Sequence, residues 1–221
     1  MVLTMKNKDI FTHPTIAILL AITSGGIDAY TFIEQGGVFA GLQTGNSILF
    51  GISLADHDYT QSLKYIFPII FFALGIVMIK VMQRKMTSIN SRKVLIMFYE
   101  IVVILVVGLI VKNASPVFIV GLLSLVSAAQ LQEFKLLKGN PFNPLMMTGN
   151  ISKIANNAYL SLVDHDKNAR SLLIDTIMVI TSFILGTFIM GIVDHYLNAY
   201  SVLVLIVPLS LVIIFNFINR K

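Results

Sequence analysis

Six apolar runs, each about as long as a bilayer is thick, constrain this chain more than any other feature. A hydrocarbon core of about 30 Å takes roughly 20 residues of helix rising 1.5 Å each. Residues 14–33, 62–82, 94–111, 116–134, 172–193 and 200–218 meet that length. Pro14 and Pro116 fall in first turns, where proline is tolerated, and Pro68 lies early in its run. Only 12% of the 221 residues are charged, against roughly 25% in soluble domains, so lipid rather than a polar shell must cover these runs. The expected class is an all-α membrane protein with a single transmembrane domain over residues 1–221. The first run lacks a small-residue cleavage pattern, which makes it a retained span and not a signal peptide.

Composition closes several other readings. With no cysteine there is no disulfide, thiolate metal site or cysteine nucleophile. The net charge of +5 comes from basic residues at the ends of apolar runs, without the basic, aromatic-interleaved patch that nucleic acid requires. The lipid bilayer is the expected partner; homo-oligomers are left open, and no cofactor or metal is expected.

Two further segments, 46–55 and 150–163, are too short or too polar to count as spans, and both begin at a Thr-Gly-Asn triplet. The positive-inside rule decides whether they cross. If neither crosses and the N-terminus is inside, only Lys64 and Lys112 of the sixteen Lys and Arg residues fall outside. If both cross, a whole basic cluster moves outside. Six spans therefore result, with both termini cytoplasmic at the cell membrane and two short re-entrant or interfacial helices.

The triplets Thr44-Gly45-Asn46 and Thr148-Gly149-Asn150 stand 104 residues apart, and Asp56-His57-Asp58 is echoed by Asp164-His165-Asp166. Each half reads span, triplet segment, span, span, with repeat 1 over about 14–113 and repeat 2 over about 114–221. Three crossings per half turn the second copy upside down, the arrangement of many transporters, whose sites lie at the midplane. Helices starting at Asn46 and Asn150 would point their N-termini inward and favour polar or anionic groups between them.

"SGGIDAYTFIEQGGVFAGLQTGN" (24–46), "SAAQLQEF" (127–134) and "MMTGN" (146–150) resemble the YoaK family, bacterial multi-pass membrane proteins catalogued as a domain of unknown function, over nearly the whole chain. Where that family has Gly-x-Gln-Asn-Ala, this chain has Gln130-Leu131-Gln132-Glu133-Phe134, so only Gln132 matches. The resemblance implies about six helices and names no substrate.

Candidate site residues follow from the cost of polar groups in hydrocarbon. Asp28, beside an expected helix break at Gly25-Gly26, is read either as a pathway carboxylate or as a cap on freed backbone N–H groups. With Tyr30, Gln43, Thr44, Asn46, Gln132, Thr148 and Asn150 it forms the expected solute site. Asp28, Glu100 and Asp175 are the proton-coupling candidates, and Lys64 is a candidate partner for Asp175. Asn150, Lys153 and Asn157 share one helical face that lines either a pathway or the interface. The Asp-His-Asp pairs are read as solvated loop ends. No nucleophile elbow, phosphate loop or zinc pattern appears, so an enzyme is not expected. The leading reading is a transporter or channel for a small polar or anionic solute; a non-transporting scaffold or regulator is the alternative.

The topology is directly testable, because the chain carries no native cysteine. Asp58→Cys should be labelled by an impermeant maleimide only from outside the cell, and Asp166→Cys only after the membrane is opened; labelling of both from one side refutes the inverted arrangement.

Overall fold

The computed structural model describes residues 10–219; Lys6, Lys8, Arg220 and Lys221, which enter the charge argument, lie outside the described residues. The chain forms α1 (Pro14–Glu34), α2 (Gln43–Ala55), α3 (Tyr59–Lys85), α4 (Ile89–Ile110), α5 (Pro116–Glu133), α6 (Met147–Val163), α7 (Lys167–Leu197) and α8 (Ile206–Ile218). A 3-10 helix, Asn198–Leu205, joins the last two. Helix starts follow side-chain chemistry: Asp58, Ser88, Ser115 and Asp166 each accept a backbone N–H of the first turn. Four single helices (α1, α3, α4 and α5) and the 52-residue stretch Lys167–Ile218 are long and apolar enough to cross a membrane.

That last stretch is not one rod. At Asn198 the backbone takes φ 47°, a left-handed value that asparagine tolerates better than most residues, and the chain reverses. Early in α1, Ala17 and Ala21 share a buried cluster with Val179, and at its end Glu34 stands near Asp194, so α7 runs with α1. The Tyr30 hydroxyl, by contrast, donates to the Ala199 carbonyl at 3.0 Å near one end of α1, and the His13 ring meets the Phe215 ring at 5.0 Å near the other. The arm 198–218 therefore runs against α1. The expected span 200–218 is helical throughout, but its first part is 3-10 rather than α.

Pairing among the helices is reciprocal. α1 packs on α7 and α5 on α3, while α2 lies beside α3 and α6 beside α7. The α1–α7 contact is backbone to backbone. A Cβ at Gly25 would collide with the Phe183 carbonyl oxygen, and one at Gly186 with the Ile22 carbonyl oxygen. Small residues permit this approach where no hydrophobic effect drives helices together. Gly75 plays the same part on α3, against Leu125 and Ala128 of α5. The break expected at Gly25-Gly26 is absent, since α1 is helical through both glycines; their missing side chains admit the neighbouring helices instead.

Two local structures differ from a purely helical reading or explain an echo. Leu136–Leu137 and Asn140–Pro141 form a two-stranded hairpin, whose turn residues Lys138 and Gly139 both have positive φ, 51° and 84°, as a tight two-residue hairpin demands. In the Asp-His-Asp turns, Asp56 and Asp164 end one helix, His57 and His165 take φ 56° and 53°, and Asp58 and Asp166 cap the next helix. The motif is a helix–helix joint built twice.

Because Gly186 carries the close approach, Gly186→Ala should lower stability in detergent by about 1–3 kcal/mol. A Cβ at Gly191 on the same helix meets nothing, so Gly191→Ala should be neutral or up to about 1 kcal/mol stabilising. Equal unfolding midpoints for the two variants would refute the backbone contact.

Candidate functional site

The two triplet helices begin one residue earlier than the triplets, at Gln43 and Met147, and their caps Leu42 and Met146 offer no side-chain bond. Thr44, Thr148, Asn46 and Asn150 are therefore not caps. Each asparagine instead reaches back seven residues to its own approach loop. Asn46 Nδ2 donates to the Phe39 carbonyl at 2.7 Å, and Asn46 Oδ1 accepts from the Phe39 N–H at 3.0 Å. Asn150 Nδ2 donates to the Asn143 carbonyl at 2.9 Å. Both asparagines are buried.

Asp28 completes the first loop. Its Oδ1 accepts from the Gly41 N–H at 2.6 Å, and the N–H groups of Ala40 and Leu42 also face the carboxylate. The Thr31 hydroxyl accepts from the Ala40 N–H, Gln43 Nε2 donates to the Ala40 carbonyl, and the Gln43 N–H donates to the Gly41 carbonyl. Every backbone polar group of Phe39, Ala40 and Gly41 thus has a partner, as buried irregular backbone must. In the second loop Asn143 Oδ1 accepts from the N–H groups of Leu145 and Met146.

The two loops meet, with Gly41 packed against Leu145. Beside that contact lies a cavity of about 470 Å³, lined among others by Asp28, Phe32, Phe39, Leu145, Thr148 and Phe183. Its size falls within the range of small-molecule sites, about 300–1,000 Å³, and such sites are commonly apolar with a few placed polar groups. Asp28 supplies acceptor oxygens. Thr148, exposed in the first turn of α6, supplies a hydroxyl at a helix N-terminus.

The other expected site residues are placed apart. Tyr30 is fully buried, donating to Ala199 and accepting from Gln35 Nε2 at 3.3 Å. Gln132 lies at the far end of α5, bonded to Gln83 and to Lys135 Nζ. Gln43 is spent on Ala40 and Asn46, and Thr44 is exposed. Glu100, fully buried in α4, accepts from Gln130 Nε2 at 2.7 Å, and Gln130 Oε1 accepts from the Ser24 hydroxyl at 2.8 Å. This polar chain joins α4, α5 and α1, and Glu100 Oε1 has no partner in it. Asp175 pairs with Lys138 Nζ at 2.6 Å, whereas Lys64, the partner expected from the repeat, sits over Gly36. Asn150, Lys153 and Asp175 line a separate small cleft, with Lys153 Nζ donating to the Pro141 carbonyl.

Sequence reasoning passed over Gln130, Lys138 and the buried Arg92–Glu133 ion pair at 2.9 Å, which Gln83 joins. Gln130 carried a signal, standing two residues before Gln132 inside an apolar run. Among the described residues, no group of three His, Asp or Glu side chains is placed to hold a metal ion.

A family model described as "Protein of unknown function (DUF1275)" matches residues 16–215, and the chain belongs to this family. No curated protein and no solved structure matches it.

If the asparagines pin their loops, their removal has unequal costs. Asn46→Ala orphans both polar groups of Phe39 and should lower stability by about 3 kcal/mol; Asn150→Ala frees one carbonyl and should cost about 1 kcal/mol. Unfolding midpoints that do not move in Asn46→Ala would show that the loop holds itself.

Proposed function

We propose that this member of the DUF1275 family is a multi-pass protein of the cell membrane that moves a small polar or anionic solute, without catalysis. The observation that carries the reading is the meeting of the two approach loops, where Gly41 touches Leu145 beside the cavity that Asp28 and Thr148 share. Irregular backbone within a membrane is tolerated where it lines a cavity. In this reading the protein has six passages and both termini in the cytoplasm, with α5 onward an inverted copy of α1–α4. The chain reversal at Asn198 and the reciprocal pairing of α1 with α7 and α5 with α3 support it. The motif likeness to the YoaK family belongs to the same reading.

Asp28 and Thr148 contact the solute; Asn46 and Asn150 shape the loops behind them. Donor groups of the solute face the carboxylate, and its acceptor or anionic groups face the N-terminus of α6. Asp28 also serves as the proton-coupling group. Glu100 and Asp175 are the remaining ionisable candidates, but Asp175 is already neutralised by Lys138.

Purified protein in proteoliposomes should take up at least one solute from a panel of small polar and anionic compounds. A ligand at 100 times its dissociation constant adds about 2.7 kcal/mol to folded-state stability, so a thermal-shift screen selects the panel. In Asp28→Asn, uptake should lose its dependence on pH while the protein stays folded; an unchanged pH profile removes Asp28 from coupling. Vesicles that take up nothing while the protein is intact favour a scaffold or regulator.

A further inference from the structure

The helix–helix joint occurs twice with the same backbone, yet its side chains do opposite things. In the first copy Ser62, fourth after the capping Asp58, is buried, and its hydroxyl meets that of Ser53 at 3.0 Å, closing α2 onto α3. In the second copy Arg170 stands fourth after Asp166, and Lys167 stands first, where the earlier joint has Tyr59. Both cations are exposed, and neither forms an ion pair among the described residues. A cleft of about 550 Å³ opens there between α6 and α7, lined by His165, Lys167, Arg170, Leu162, Leu173 and Ile174. Asp166 also borders it, but its carboxylate is engaged by the N–H groups of Asn168 and Ala169 at 2.7 and 3.3 Å.

We propose that this cleft binds the phosphate of an anionic phospholipid, with an acyl chain lying along Leu162, Leu173 and Ile174. Lys167 and Arg170 are three apart and so share a helical face. The arginine fork matches phosphate oxygens, and the lysine adds a compact charge. Lys167 begins the stretch Lys167–Ile218, which is long and apolar enough to cross a membrane; the end of a crossing helix is where headgroups sit, and basic pockets between helices there hold anionic headgroups. Leu162 and Ile174 are 74% and 58% exposed, which suits an acyl chain and gives a free phosphate ion nothing to contact. The inference does not depend on solute transport.

Detergent-purified full-length protein is titrated with phosphatidylglycerol or phosphatidylcholine, and bound lipid is counted by native mass spectrometry. Wild type should prefer phosphatidylglycerol. Lys167→Tyr with Arg170→Ser, the residues of the first joint, should weaken that binding by about 25-fold, roughly fivefold per cation, and leave phosphatidylcholine unchanged. Arg84→Gln with Lys85→Gln, which neutralises two exposed cations at the end of α3, should change neither lipid. The site is refuted if wild type shows no preference, or if the two double variants lose phosphatidylglycerol equally. Inorganic phosphate that displaces the lipid at equal concentration would overturn the assignment to a lipid. Should the first double variant fail to fold, Arg170→Gln alone reads the same site: a fivefold loss supports it and no loss overturns it.

Discussion

Hydrocarbon offers a peptide group no hydrogen bond, and this constraint explains more of the molecule than any single contact. Helices answer it internally; where the chain leaves helical form at 35–42 and 134–146, buried groups need other partners. Side chains close the account: Asn46 for Phe39, Asp28 for Gly41, Thr31 and Gln43 for Ala40, and Asn143 with Asn150 for the second loop. With Gly41 and Leu145 held in contact, a cavity with the Asp28 carboxylate in its wall lies beside them.

The apolar runs were legible because span length is a property of composition alone, and the triplets were legible as equivalent positions. Their role was not. A threonine or asparagine near a helix start reads as a cap, whereas Asn46 and Asn150 bond residues seven earlier, a partner fixed by the path of the loop rather than by helix periodicity. Gly25 and Gly26 read as a break for a similar reason: local propensity cannot register that Phe183 and Leu205 occupy the space a side chain would fill. Lys138 could not be matched to Asp175 from spacing, because a hairpin carries it there. The 3-10 character of Asn198–Leu205 was hidden inside a run whose hydropathy is the same for either helix type.

Where the two joints and the two loop turns share backbone geometry they diverge in charge. The joints at His57 and His165 have nearly the same φ, yet one is sealed by serines and the other carries two cations. The loop turns at Gly36-Gly37 and Lys138-Gly139 all have positive φ, yet a lysine on α3 faces the first and an aspartate on α7 faces the second. Asp28 holds its loop, while Gln132, 104 residues further on as the second triplet is from the first, turns to Gln83 and Lys135. Like backbone at these positions thus carries unlike chemistry.

The eight residues of Asn198–Leu205 have a mechanical consequence. A 3-10 helix climbs about 2.0 Å per residue, against 1.5 Å in an α-helix, so this stretch stands about 4 Å taller than the same residues would in α form. Its hydrogen-bond geometry is the poorer kind, and rewinding it as α would shorten the arm by that amount and draw α8 along the two helices it packs on, α1 and α4. The arm lies against both α1 and α4, so those added ångströms set which turns of α8 meet which turns of its neighbours.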